Sequence, residues 1–262
     1  MRCARGTRSR HIRATGMRIK LKKEEGEDTV KKEEGACLVC GRPLVYFEKA
    51  QEMECAICHG KFRSCASCEA GHFVCDRCHG EQGIRDVIAY CMQSSSRDPV
   101  AMMQEMMEDP YIHMHGPEHH VMVGAALLCA YRNSGGEIEL EEALGKMKER
   151  GAKYPGGSCG YWGCCGAAVS AGMFLSIATG TTPLSGESWG LSNQMTAEAL
   201  SDIGRIGGPR CCKRNAFTAA KAAVRFAQEH LGVVMELPAA IRCTHSPQNR
   251  QCLKTHCPYF AG

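Results

Sequence analysis

The sequence predicts a mainly α protein, a helical bundle domain preceded by a small cysteine-built module. Three observations carry this. Four C-x-x-C pairs crowd into residues 37–78, apolar side chains recur at helical spacing from Ile84 onward, and no segment of strand period follows residue 83. The 262 residues suffice for one large domain with a small module attached. Nineteen are cysteine and eleven histidine, while charged residues make up 23% and the formal net charge is +4. That balance excludes a uniformly basic nucleic-acid coat and a wholly disordered chain.

Residues 1–34 carry 11 Lys/Arg and 6 Asp/Glu and almost no large apolar side chains, which predicts a solvated, disordered tail. They contain no apolar run of secretory type, and Met17 offers a second plausible start. Paired cysteines at two-residue spacing suit a metal better than a disulfide, because both sulfurs of one knuckle reach one ion. A reduced, cytoplasmic protein is expected. The uncharged stretch from Tyr154 to Gly186 is long enough for a membrane span, but its Gly, Ser, Thr and Cys content predicts a buried helix instead.

The module at 35–82 holds Cys37/Cys40, Cys55/Cys58, Cys65/Cys68 and Cys75/Cys78. Eight thiolates make two four-sulfur tetrahedral sites, so two zinc ions are expected and the module reads as zinc-ribbon-like. Sequential and cross-braced pairing of the knuckles both fit the spacing. His59, His72 and His79 could replace a thiolate, but with eight cysteines present they are expected beside the ions or exposed. Gly41 after the first knuckle suits its turn, and Leu44 to Phe47 suit a short strand. A ribbon of this kind can bind nucleic acid or protein, but no aromatic-and-basic stripe indicates nucleic acid.

Seven helices are expected over 83–262. Ile84, Val87, Ile88, Cys91 and Met92 mark the first, and Asp98-Pro99 caps and opens the second, whose Met102, Met103, Met106 and Met107 suit core filling. The third starts at Pro117 and is apolar on nearly every side. Leu140, Leu144 and Met147 mark the fourth. The Gly-rich segment from Gly156 to Gly180 supplies a closely packed fifth, and the sixth follows Ser185-Gly186-Glu187-Ser188, with Ser185 or Ser188 as its cap. The seventh runs from Cys211 to about His230 and closes at Gly232.

Three clusters in this domain bear chemistry. At the mouth of the third helix, His113, His115, Glu118, His119 and His120 fall within eight residues, so imidazoles could converge on a metal or one could act as general base. His115, His119 and His120, with Cys159 and Cys165, are the expected metal ligands. Cys211 and Cys212 start a helix beside Arg210, Lys213 and Arg214, where thiols ionise readily. Adjacent cysteines diverge, so one of the pair is expected as a ligand and the other as packing or a free nucleophile. The tail adds Cys243-x8-Cys252-x4-Cys257-Pro258. Three tail cysteines with one of the Cys211/Cys212 pair (Cys212 is the choice here) make a four-sulfur site, where the irregular spacing favours one iron–sulfur cluster over zinc. Cys211, Cys212, His119 and Glu187 are the catalytic candidates, Glu187 as the carboxylate of an otherwise uncharged region.

Taken together, HGPEHH, CGYWGCCGAAVSAG, TPLSGESWGL, GGPRCCKR and CLKTHCPYF resemble an uncharacterised bacterial and archaeal family known as a domain of unknown function. The resemblance covers roughly 35–262. It implies a cysteine-rich ribbon in front, a radical-SAM or methyltransferase partner, and functional weight on His115, His119, His120, Cys159, Cys165, Cys211, Cys212, Cys243, Cys252 and Cys257. CCGAAVSAG with the later cysteines is also similar to small redox-active proteins of C…GCxxG…C…C pattern, although here the cysteine before Gly166 is doubled. The expected function is a metal-binding protein with an iron–sulfur or redox-thiol centre acting in sulfur, methyl-group or cofactor metabolism. The alternative is a non-catalytic, zinc-stabilised adaptor or binding module.

Overall fold

Hydrogen bonds between two strands organise the first part of the chain. The structure, a computed structural model, describes residues 36–262; the charged tail 1–34, with Cys3 and Met17, lies outside them. Backbone contacts divide the chain into one unit closing at Cys75 and another running from Asp76 to Gly262.

In the first unit β1 (Leu44–Glu54) pairs antiparallel with β2 (Lys61–Cys68), from Leu44 opposite Cys68 to Glu54 opposite Lys61. The register breaks between Tyr46 and Gln51, so β1 bulges opposite Cys65. Most of β1 is exposed, Tyr46 included, and the hairpin buries little besides Ser64, Ser67 and cysteines. A hairpin without an apolar core is marginal in water and needs a staple. The first knuckle turns as expected, with Gly41 at φ 72°. In the second, His59 rather than the glycine after it takes the left-handed conformation, at φ 56°.

The second unit is built of helices followed by an irregular tail after Leu231: α1 (Asp76–Gln93), α2 (Pro99–Met106), α3 (His119–Asn133), α4 (Leu140–Lys153), α5 (Ser158–Tyr161), α6 (Gly166–Ala178), α7 (Glu187–Ile206) and α8 (Cys212–Leu231). The protein is therefore mainly α, as predicted. Asp98 caps α2, its carboxylate accepting from Val100 and Ala101 N–H. α3 is buried from His119 to Tyr131 and touches α1, α2, α4, α6 and α8, which makes it the axis of the bundle. The four methionines of the α2 region are buried in the same core.

Three boundaries differ from the sequence reading. α1 begins at Asp76, because the polar turn before Ile84 continues the helix toward the last knuckle. The Gly-rich segment breaks into α5 and α6: Gly163 takes φ 65°, which stops α5, and Cys165 occupies the position before α6. Neither Ser185 nor Ser188 caps α7; Gly186 stands there without a side-chain bond. The small residues of α6 do allow close approach. A Cβ on Gly172 would lie 1.9 Å from Thr196 Oγ1 and 3.0 Å from the Ser192 carbonyl, both on α7. Among the described residues, no helix is long and apolar enough to cross a membrane.

Candidate metal centres

Two tetrads close in the cysteine-rich region. Cys37, Cys40, Cys68 and His72 form one, and Cys55, Cys58, Cys75 and Cys78 the other, each with donor atoms within 4.8 Å of one another. The knuckles therefore interleave, first with third and second with fourth, which is the cross-braced of the two pairings the spacing allowed. Cys40 Sγ lies 3.8 Å from Cys68 Sγ, and Cys58 Sγ lies 3.9 Å from Cys75 Sγ. Four sulfurs around one zinc at ~2.3 Å sit about 3.8 Å apart, so the cysteine clusters are shaped to hold metal ions.

One ligand is not where the sequence put it. Cys65 stands outside both tetrads, and His72 takes the fourth position of the first, its Nδ1 3.3 Å from Cys40 Sγ and 3.5 Å from Cys68 Sγ. The reason is strand geometry. Cys65 and Cys68 both belong to β2, where residues three apart project from opposite faces. Cys65 is also disulfide-bonded and offers no thiolate to an ion, against the expectation of a fully reduced protein, while the turn after β2 returns His72 to Cys68, with His72 N–H donating to Cys68 Sγ at 3.2 Å. Burial works to raise the Cys55 thiol, but N–H groups of Cys58, Cys75 and Ile57 outweigh it and bring it down to about 6.

The helical unit gathers Cys159, Cys165, Cys211, Cys212, Cys243, Cys252 and Cys257, with His115, His119, His120 and His245, around the N-terminus of α8. Cys211, at its cap, accepts from Arg214 N–H, and Cys212 opens the first turn. Their side chains diverge, as adjacent cysteines must, into two different pockets. Cys211, with Cys243, Cys252 and Cys257, lines the first, together with Lys213, His245 and Asn249. This corrects the choice of Cys212 for the tail site. Cys212 lines the second pocket with His119, His120, Cys159, Cys165 and Asn215. Among the described residues, neither group closes to within 4.8 Å as the ribbon tetrads do.

In the tail pocket Asn249 Nδ2 donates to Cys211 Sγ at 3.5 Å, and Lys254 N–H donates to Cys252 Sγ at 3.3 Å. Burial raises the thiols of Cys243 and Cys257. Lys213 is only 2% exposed and its Nζ has no hydrogen-bond partner. Burial lowers its pKa, while Glu118, Cys212, Cys211 and Cys243 favour its charge. A buried unpaired ammonium is expensive, and its natural complement is a negative group in the pocket.

The histidine cluster divides. His115 has both nitrogens engaged: Nε2 reaches Asn249 Oδ1 at 3.2 Å and Nδ1 accepts from Cys212 N–H at 3.5 Å. It is thus not open as a metal ligand, and instead ties the two pockets' cysteines to the same tail residue. His119 and His120 each turn Nδ1 to a backbone carbonyl, Gly116 at 3.1 Å and Tyr154 at 3.2 Å. Burial, then Lys213, lowers the pKa of His119 to about 3, so its imidazole stays neutral. Glu118 is fully buried, its Oε1 accepting from His113 N–H at 2.7 Å. Glu187, by contrast, is exposed in the first turn of α7 and lines neither pocket. Its place suits the helix dipole rather than catalysis.

The family model of a family of unknown function, DUF5714, matches residues 87–260. The chain belongs to this family. The DUF5714 match takes in both pockets of the helical unit, whereas the two ribbon tetrads precede it. No curated protein and no solved structure gives a significant match.

The sequence reading took Lys213 only as a cation beside the cysteine pair, and passed over Asn215 and Asn249. Only Lys213 left a signal, a lysine directly after a cysteine pair. The partners of the two asparagines lie 50 and 38 residues away in the chain.

Proposed function

We propose that this protein is a metal–thiolate protein whose DUF5714 domain carries one iron–sulfur cluster on Cys211, Cys243, Cys252 and Cys257, behind a zinc-bearing ribbon. The observation that carries the reading is the juxtaposition of four thiols with the buried, unpartnered Lys213 ammonium. Four thiolates around a cluster leave net negative charge, which Lys213 offsets. The sulfurs are spread more widely than those of the ribbon tetrads, as a polynuclear centre requires. Such a cluster supplies one-electron transfer. The chain's own contribution is to exclude water, to direct the Asn249 amide and the Lys254 N–H at sulfur, and to hold the tail through the Cys243–Phe260 bridge.

A second reading, one zinc ion in the tail pocket of a non-catalytic adaptor, is favoured by the cavity itself. Its open space is about 10 Å³, room for an ion, so a cluster requires the tail to shift outward. Anaerobic purification and reconstitution with iron and sulfide separate the two. The cluster reading expects broad absorption at roughly 400 nm, lost in Cys252→Ser/Cys257→Ser and in Cys211→Ser but kept in Cys212→Ser. Zinc as the only metal, with no such band, overturns it.

A further inference from the structure

We propose that the second pocket of the helical unit is a separate binding site for a single thiophilic divalent cation, held by His119, His120, Cys165 and Cys212. The inference does not depend on the cluster.

His119 is 1% exposed, and its Nε2 is buried without a hydrogen-bond partner. With Nδ1–H given to the Gly116 carbonyl, Nε2 carries a lone pair, and that imidazole lines the pocket. His120 repeats the arrangement through Tyr154 and packs against Gly166 so closely that a Cβ there would lie 2.3 Å from its Nε2. Imidazoles fixed at one nitrogen by a carbonyl present the other to a metal in a set tautomer and orientation. Cys165, at the start of α6, receives the Asn215 amide at 3.3 Å, and Cys212 enters from α8. Two neutral imidazoles and two thiolates neutralise a divalent ion and match the donor softness and number of a tetrahedral zinc-type site.

Size and access point the same way. The cavity is about 30 Å³, enough for an ion with a water and too small for an organic ligand. Cys159, Cys165, Arg210 and Asn215 also line a groove of about 630 Å³, so the site has an entry path. The four donor atoms do not all lie within 4.8 Å of one another. Rotation of the half-buried Cys165 and Cys212 side chains closes them on the ion.

Cobalt(II) is the test, titrated into the full-length, reduced, metal-stripped chain, because thiolate-bound tetrahedral cobalt is coloured. Wild type is expected to bind one cobalt more than His119→Gln or Cys165→Ser. The difference spectrum should show thiolate-to-cobalt charge transfer and tetrahedral ligand-field bands. Equal stoichiometry and superimposable spectra in folded variants overturn the site. If His119→Gln loses its far-ultraviolet circular dichroism, Cys165→Ser, an isosteric change of a half-buried thiol, decides alone. Cobalt lost in Cys252→Ser/Cys257→Ser but not in Cys165→Ser belongs to the tail pocket, which keeps the two readings distinguishable.

Discussion

His72 and Cys65 show how single residues acquire roles from backbone direction. Both are plausible ligands by type, yet β2 turns Cys65 away and the following turn brings His72 in. The consequence is measurable by metal content of the purified protein. His72→Ala should lose one ion from the ribbon, whereas Cys65→Ser should keep both, and His72→Cys should restore the lost ion. Equal loss in Cys65→Ser and His72→Ala would show that Cys65 binds after all. Gly166 makes a similar point on the other unit, because only hydrogen in place of Cβ leaves room for the His120 ring. Gly166→Ala should therefore weaken cobalt binding at the second pocket while leaving the ribbon sites filled, as read by stoichiometry.

At the scale of elements, caps and close approaches carry the testable energetics. Asp98 accepts two N–H groups of α2 and holds Met102, Met103 and Met106 into the core behind it. Asp98→Ala should cost roughly 1 kcal/mol in denaturant unfolding, with the slope unchanged. Gly172→Ala sets a methyl against the Ser192 backbone and Thr196 of α7, and should cost about 1–3 kcal/mol. A change smaller than a few tenths in either would show that the helix adjusts without strain. Helices were legible wherever an apolar stripe or a cap marked them, as at Asp98-Pro99 and at Gly232, which takes φ 68°. The Gly-rich segment was not, since small residues carry no periodic signal and the break at Gly163 depends on packing.

For the whole molecule, the two units rest on different stabilising forces. The unit ending at Cys75 has ligands and little core, while the helical unit buries α3, α6 and α8 in a continuous apolar cluster. Chelation of the ribbon ions should therefore abolish hairpin protection in hydrogen exchange. It should leave most helical circular dichroism intact, because metal binding is folding free energy only where no core exists. Loss of both signals together would refute this division. The +4 net charge also resolves at this scale. Residues 1–34 contribute +5, leaving −1 for the remainder, so composition implies no basic face over residues 35–262.

The sequence by itself determined the fold class, the presence of two four-ligand groups in the cysteine-rich region, the buried third helix and the family. Each is written in local spacing: two residues between thiols, three or four between apolar side chains. Tertiary structure alone decided which thiols meet. It crossed the knuckles and sent Cys211 and Cys212 to separate pockets. It closed His115 with two hydrogen bonds while leaving His119 Nε2 bare, and it buried Lys213 among cysteines from the far end of the chain. The physical reason is that ligand geometry depends on side-chain direction and on contacts across many tens of residues, and neither is a property of neighbours in sequence.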